Sequence, residues 1–226
     1  MSKSNPKETL TTKILNVHHN HPIRIAIDGV DASGKTTLAE SIMGHNRYKE
    51  TKESGRDIIR ASIDGFHNPR EVRYRQGRDS ARGYYENSFN HRAILDNLVL
   101  PLGPAGDLRY RTGSFNYKAD MEIDSPWKVA QSDSILIFDG VFLYHPQLCD
   151  HWDFGIFVDA DFAVTIERAV IRDQHLFGSP DEVREIYRKR YIPGQKIYLQ
   201  AQSPSERADI VVDNNDFLNP VLSKAR

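Results

Sequence analysis

A single cysteine, Cys149, stands in 226 residues, so no intrachain disulfide can form and no cluster of thiolates can hold a metal. Long apolar runs are missing as well. No stretch approaches the roughly 18 consecutive apolar residues that a bilayer-spanning helix needs. Residues Met1 to Lys13 are polar and carry no apolar stretch of the kind a secretory leader uses. These absences lead us to expect a reducing compartment, a cytoplasmic location and no membrane partner. An excess of charge is also lacking: thirty Lys and Arg face thirty-one Asp and Glu, a net charge of −1. That balance supplies no general attraction to nucleic acid or to an anionic surface.

What is present reads as one large globular domain, with 39% hydrophobic and 27% charged residues and enough chain to bury a core. Residues 8–17 pattern as a short helix with Leu10, Ile14 and Val17 on one side. His18-His19-Asn20-His21-Pro22 follows and reads as an exposed connector, because no carboxylate or cysteine stands beside it in sequence and Pro22 breaks any helix. We therefore expect an N-terminal extension over 1–21 and a main domain over 22–226. Within the latter, strands are expected at Ile23–Ile27, Ile58–Ile63, Ser134–Phe138, Phe154–Val158 and Ala208–Val212. Helices are expected from Thr37 to Met43, near 91–100, from Asp161 to Gln174 and from Asp181 to Tyr191. Residues 107–123 look like a two-stranded excursion turning at Thr112-Gly113-Ser114. Continuous Ile/Val/Phe strands alternating with helices indicate a parallel sheet covered on both faces, a three-layer α/β fold.

The central motif is Gly29-Val30-Asp31-Ala32-Ser33-Gly34-Lys35-Thr36, which matches the Walker A pattern between a strand and a helix. In such a loop successive backbone N–H groups wrap phosphates at the positive end of the following helix. Lys35 is placed to neutralise β/γ-phosphate charge and Thr36 to ligate Mg²⁺ with its hydroxyl. We take residues 29–36 and Thr37 as the nucleotide site. Asp139, ending an apolar strand, is the expected second carboxylate for the metal.

Asp64-Gly65-Phe66-His67, directly after the second strand, completes the pattern. Together with Gly29–Thr37 and Phe138-Asp139-Gly140 it resembles the uridine kinase-like group of P-loop kinases, which includes nucleoside kinases, pantothenate kinase and phosphoribulokinase. The likeness runs from the first strand to the last. It implies a P-loop kinase fold with an acceptor-side insertion at about 66–125 and a helical lid at about 168–195. It also implies transfer of the γ-phosphate of ATP, with Mg²⁺, to an acceptor hydroxyl. By the same resemblance Asp64 is the catalytic carboxylate, Tyr110 in the hairpin contacts substrate, and His67, Tyr84, Tyr85 and Glu86 belong to the acceptor side. The uridine kinases carry an Asn-Phe-Asp-His-Pro-like motif here. This chain reads Tyr85-Glu86-Asn87-Ser88-Phe89-Asn90, shorter and without the proline.

Arg168 and Arg172 share a helix face and have no Asp or Glu three or four residues away. An anion is therefore implied, either ATP phosphate or a tertiary carboxylate, and the resemblance places the lid here. Arg184 and Arg188 have Asp181 and Glu185 at i−3 and read as self-paired. The arginines between Arg70 and Arg82 are interspersed with Glu71, Asp79 and Glu86, so they suggest a surface or a phosphorylated acceptor's cradle more than nucleic acid. The loop Asp213-Asn214-Asn215-Asp216 falls where P-loop kinases meet adenine.

Asp28-Gly29-Val30-Asp31 before Gly34-Lys35-Thr36 also resembles thymidylate kinase. Pantothenate- and sugar phosphate-like acceptors stay open, as does a regulatory NTPase without a small-molecule acceptor. No Asn-Lys-x-Asp guanine motif and no Leu-Ser-Gly-Gly-Gln element occurs. The acceptor and any homo-oligomer do not follow from the chain.

Overall fold

The computed structural model describes residues 6–44 and 56–225; residues 1–5 of the N-terminal extension and Arg226 lie outside them. Four strands with apolar residues at consecutive positions build the centre. They are β1 (Ile23–Gly29), β7 (Ile135–Gly140), β8 (Phe154–Asp159) and β9 (Ile210–Asp213). Side chains alternate across a strand, and here both directions are apolar. Ile23, Ile25, Ile27, Ile135, Ile137, Ile156, Val158, Ile210 and Val212 enter one core; Ala26, Leu136, Phe138, Phe157 and Val211 enter another on the opposite face. Only a sheet covered on both sides accommodates that pattern.

With β2 (Ile58–Ser62) and β10 (Val221–Ala225) the sheet has the order β10-β9-β8-β1-β7-β2. All neighbours are parallel except β10, an antiparallel edge strand that the sequence reading did not foresee. The first face is covered by α1 (Pro6–Leu15) and α2 (Lys35–Met43), through Leu10 and Ile14 on one and Leu38, Ala39 and Ile42 on the other. The expected first helix thus starts and ends about two residues early, and its apolar side is sealed.

The second face is covered by the segment between β2 and β7 and by the C-terminal helices. A 3₁₀ turn, Ile63–Phe66, leads to the helices α3 (Arg70–Arg73), α4 (Ala81–Asn87) and α5 (His91–Ile94), and α5 continues as a π turn over Leu95–Val99. Residues 66–90, the first part of the expected acceptor-side insertion, are therefore largely ordered in helical turns. The excursion is two ladders, not one. Strand β3 (Arg109–Tyr110) pairs with β6 (Lys128–Val129), and β4 (Phe115–Asn116) pairs with β5 (Met121–Glu122). The chain reverses at Tyr117–Asp120, where the Asn116 side chain accepts the Lys118 and Ala119 amides, not at Thr112-Gly113-Ser114. Those residues instead press against Gly65, whose carbonyl accepts the Ser114 amide.

After β8, α6 (Phe162–Phe177) ends at Gly178, whose φ of 104° is left-handed. Ser179 caps α7 (Pro180–Ile186), a π turn covers Tyr187–Tyr191, and α8 (Ile192–Gln202) and α9 (Pro204–Arg207) complete the layer. Register alignment puts Ser62, Asp139, Gly29, Val158 and Asp213 along one carboxyl edge of the sheet, the edge where α/β folds open a crevice.

Candidate active site

The loop between β1 and α2 needs glycine at two points. A Cβ on Gly29 would overlap the Val158 carbonyl oxygen, and Gly34 takes φ 102° with the Asn214 amide nitrogen where a Cβ would stand. Asn214 donates to the Ser33 carbonyl at 2.6 Å, so the loop after β9 braces the turn. Lys35 begins α2, is buried, and donates from Nζ to the Val30 carbonyl at 2.7 Å. Burial lowers its pKa, and the carboxylates of Asp31, Asp28 and Asp139 oppose that shift.

Thr36 Oγ1 donates to Asp139 Oδ2 at 2.6 Å. Asp139 is 2% exposed, and its Oδ1 lies 2.6 Å from Arg60 Nη2, an ion pair without hydrogen-bond geometry. Arg60 was not singled out in the sequence: a charged residue inside a strand reads there as one solvated position. A hydroxyl beside an under-bonded buried carboxylate is a hard-oxygen donor set of the kind Mg²⁺ takes, so these residues fit the cation that nucleotide chemistry requires.

Asp64 sits, exposed, in the 3₁₀ turn just past β2. Its carboxyl is pushed up to about 6, first by the crevice walls that keep water from its flanks, then by Asp31 and Asp139; Lys35 and Arg172 pull the other way. Deeper, Asp28 is fully buried and raised to about 6 by desolvation, although Tyr198 donates a short hydrogen bond to it.

Asp31 is a junction. Tyr84 Oη donates to its Oδ2 at 2.6 Å and Gln195 Nε2 at 3.3 Å, while Gln195 Oε1 accepts the Asp31 amide at 2.6 Å. The phosphate-binding loop is thereby tied to α4 and α8 at once. A second tie joins the same layers. The buried Arg190 donates to the carbonyls of Arg73, Gly77, Arg78 and Ser80 and packs on the Tyr74 and Tyr84 rings.

The two α6 arginines diverge. Arg172 forms a two-pronged ion pair with Asp173, 2.7 and 2.8 Å, and donates to Tyr187 Oη at 3.1 Å. Its partner is thus a carboxylate adjacent in sequence, and its charge still reaches Lys35 and Asp64. Arg168 turns to the carbonyls of Asn214 and Asn215, lies over Phe217, and keeps a buried Nη1 without a hydrogen bond. Arg184 pairs with Asp181 and also Glu167; Glu185 pairs with Lys189, so the expected Glu185–Arg188 pair is absent.

Among the residues expected on the acceptor side, His67 accompanies Asp64, its Nδ1 3.1 Å from the Asp64 carbonyl and its ring between Phe89 and Tyr117. Burial lowers its pKa to about 4. Tyr117 joins this wall and feels the Asp64 charge, a neighbour the misplaced hairpin turn concealed. The remaining expected residues stand further off. Tyr85 packs on Phe142, His145 and Tyr198; Glu86 is exposed and bound to Arg82 and Gln76; Tyr110 feels Asp57, at the opposite end of β2 from Asp64.

A P-loop at a parallel sheet's carboxyl edge, with a carboxylate on the facing turn, defines an α/β protein of the P-loop nucleotide-binding class. The chain belongs to the phosphoribulokinase / uridine kinase family, whose profile matches residues 24–216. Uridine-cytidine kinase B of Dictyostelium discoideum is 26% identical over 157 residues, 69% of this chain and 60% of that protein. Uridine kinase of Aliivibrio salmonicida (strain LFI1238) is 28% identical over 200 residues, 86% of this chain and 87% of that one. In fold it is similar to a Bacillus stearothermophilus structure described as a possible uridine kinase, with TM-score 0.68, 19% identity, and coverage of 91% of this chain and 96% of that chain. The chain spans only 60% and 31% of the length of the first two curated relatives it matches, the Dictyostelium protein and uridine kinase-like protein 3 of Arabidopsis thaliana. Among the described residues no helix is long and apolar enough to cross a membrane.

Proposed function

We propose that the protein is an ATP-dependent small-molecule kinase whose acceptor is a nucleoside, held with its ring against the partly exposed His67 and Tyr117, which the buried Phe89 backs, and with its hydroxyl on Asp64. The observation that carries this reading is the aromatic wall 4.6–4.7 Å from the His67 ring, beside the exposed Asp64. His67, neutral at pH 7, adds an aromatic edge without a charge to desolvate. The names of the relatives agree with a pyrimidine nucleoside.

In this reading residues 29–37 seat the triphosphate through their amides, and Lys35 neutralises its charge. Thr36 and Asp139 would hold Mg²⁺, which would supply positive charge to the transferring phosphate. Asp64 orients the hydroxyl and accepts its proton late in a loose, in-line transfer. Arg172 swings from Asp173 toward the phosphates, and Arg168 fixes the loop at 213–216 beside the adenine. The segments at about 66–125 and 168–195 act as acceptor arm and lid, which exclude water from the transfer.

A coupled assay of ADP release with MgATP tests this against uridine, cytidine, pantothenate, glycerate and sugar phosphates. Stimulation by the pyrimidine nucleosides, with KM for the acceptor raised at least about tenfold in Tyr117→Ala, is the expected result. Stimulation only by a non-aromatic acceptor sinks the nucleoside reading. Hydrolysis indifferent to every acceptor favours a regulatory NTPase.

A further inference from the structure

The histidine connector meets a carboxylate that its sequence neighbourhood lacks. Asp153, just before β8, comes up beside His19 and His21, and one ligating atom from each of the three lies within 4.8 Å of the others. We propose that His19, His21 and Asp153 form a binding site for one transition-metal dication of the zinc type. Imidazole with a single carboxylate suits zinc, cobalt or nickel, and is a poor set for Mg²⁺, which demands oxygen.

The local structure supplies what such a site needs. The His19 and His21 rings stack at 5.0 Å. His21 Nδ1 stands 2.9 Å from the Pro22 carbonyl and 3.9 Å from Asp153 Oδ2; donation to the carbonyl, the outer-shell arrangement usual for metal-bound histidine, would leave Nε2 to turn toward the metal as the cluster closes. Asp153 accepts three N–H bonds from Arg24, from its backbone amide at 2.8 Å and from its side chain at 2.9 and 2.8 Å. A carboxylate offers about four lone-pair positions, so one stays available while Arg24 orients the group. His18 and Asp133 line the adjoining cleft of about 270 Å³, within which Arg56 is already bonded to the Asp133 carbonyl.

Tetrahedral zinc with bonds near 2.1 Å sets its ligands about 3.4 Å apart, so the cluster must contract. His19 is exposed and residues 17–19 carry no helix or strand, which permits the movement. The site lies at the amino edge of the sheet. The phosphate loop is at the other end of β1, roughly 20 Å away by strand rise. Bound metal would therefore staple the α1–β1 connector to β8 without entering the transfer reaction.

The test uses untagged full-length protein stripped of metal by chelator dialysis and titrated calorimetrically with ZnCl₂, then with MgCl₂. Expected are one Zn²⁺ per chain at micromolar or tighter dissociation constant and a rise of several degrees in Tm that Mg²⁺ does not reproduce. His19→Gln and His21→Gln should each weaken binding by at least about tenfold, and the double variant should abolish it while leaving ATP-dependent turnover unchanged. Because the readout is binding, failure of the kinase reading leaves it intact. Zn²⁺ binding weaker than about 0.1 mM, or equal affinity in the double variant, overturns the proposal.

Discussion

Asp64→Asn and the pH profile of the parent protein together test the chemistry most directly. If Asp64 accepts the hydroxyl proton, only its carboxylate form is productive. With its pKa raised from 3.8 to about 6, the ionised fraction is about 91% at pH 7 and about 9% at pH 5, a tenfold loss. An unshifted group would still be about 94% ionised at pH 5, leaving the profile flat. The quantity to measure is kcat/KM for MgATP from pH 5 to 8 at saturating acceptor, which reports ionisations before nucleotide binds. Asp28 also titrates near 6, so Asp28→Asn serves as the control and should retain the acid limb. Asp64→Asn should keep ATP binding, lose about 10²–10⁴ in kcat, and erase the limb. A parent profile flat to pH 5, or turnover within threefold of the parent after the substitution, refutes Asp64 as the base.

Tyr84→Phe and Gln195→Ala each remove one support of Asp31; we expect about 1–3 kcal/mol of lost stability apiece in urea unfolding, and a double variant that departs from additivity by 0.5 kcal/mol or more. Arg60→Met should free Asp139 for the cation, so half-saturating free Mg²⁺ falls several-fold, on the order of 1 kcal/mol; an unchanged or higher requirement would show that Arg60 does not compete there. Asp28 and His91 should oppose each other in acid. Asp28, raised to about 6, costs stability as pH climbs from about 4 to 6, whereas His91, lowered to about 4 chiefly by burial, loses stability as pH falls from 6.5 toward 4. Each shift corresponds to about 3 kcal/mol, so Asp28→Asn should make urea stability fall by about that amount between pH 6.5 and 4, while the parent stays nearly level.

The strands and the phosphate loop were legible because their signals are local. Gly29 and Gly34 carry the loop's backbone demands, and consecutive apolar positions in Ile135–Phe138 announce two covered faces. What escaped depends on residues far apart in the chain. Arg60 acquires meaning only when β2 pairs with β7, Gln195 only when α8 reaches the phosphate loop, and Asp153 only when β8 lies beside β1. The hairpin was misplaced because Thr112-Gly113 has turn chemistry, yet its glycine serves a close approach to Gly65. The real reversal is set by Asn116 and by Asp120, whose φ is 54°. Arg172 was read at helical spacing alone, and its partner proved to be the next residue.

Arg190 has one consequence for anyone rebuilding this enzyme. A single guanidinium grips four main-chain oxygens of residues 73–80, so the stretch proposed as the acceptor arm and the helices that follow β8 form one mechanical unit. Grafting that stretch from a relative to change substrate choice should fail unless its own counterpart of Arg190 is moved with it.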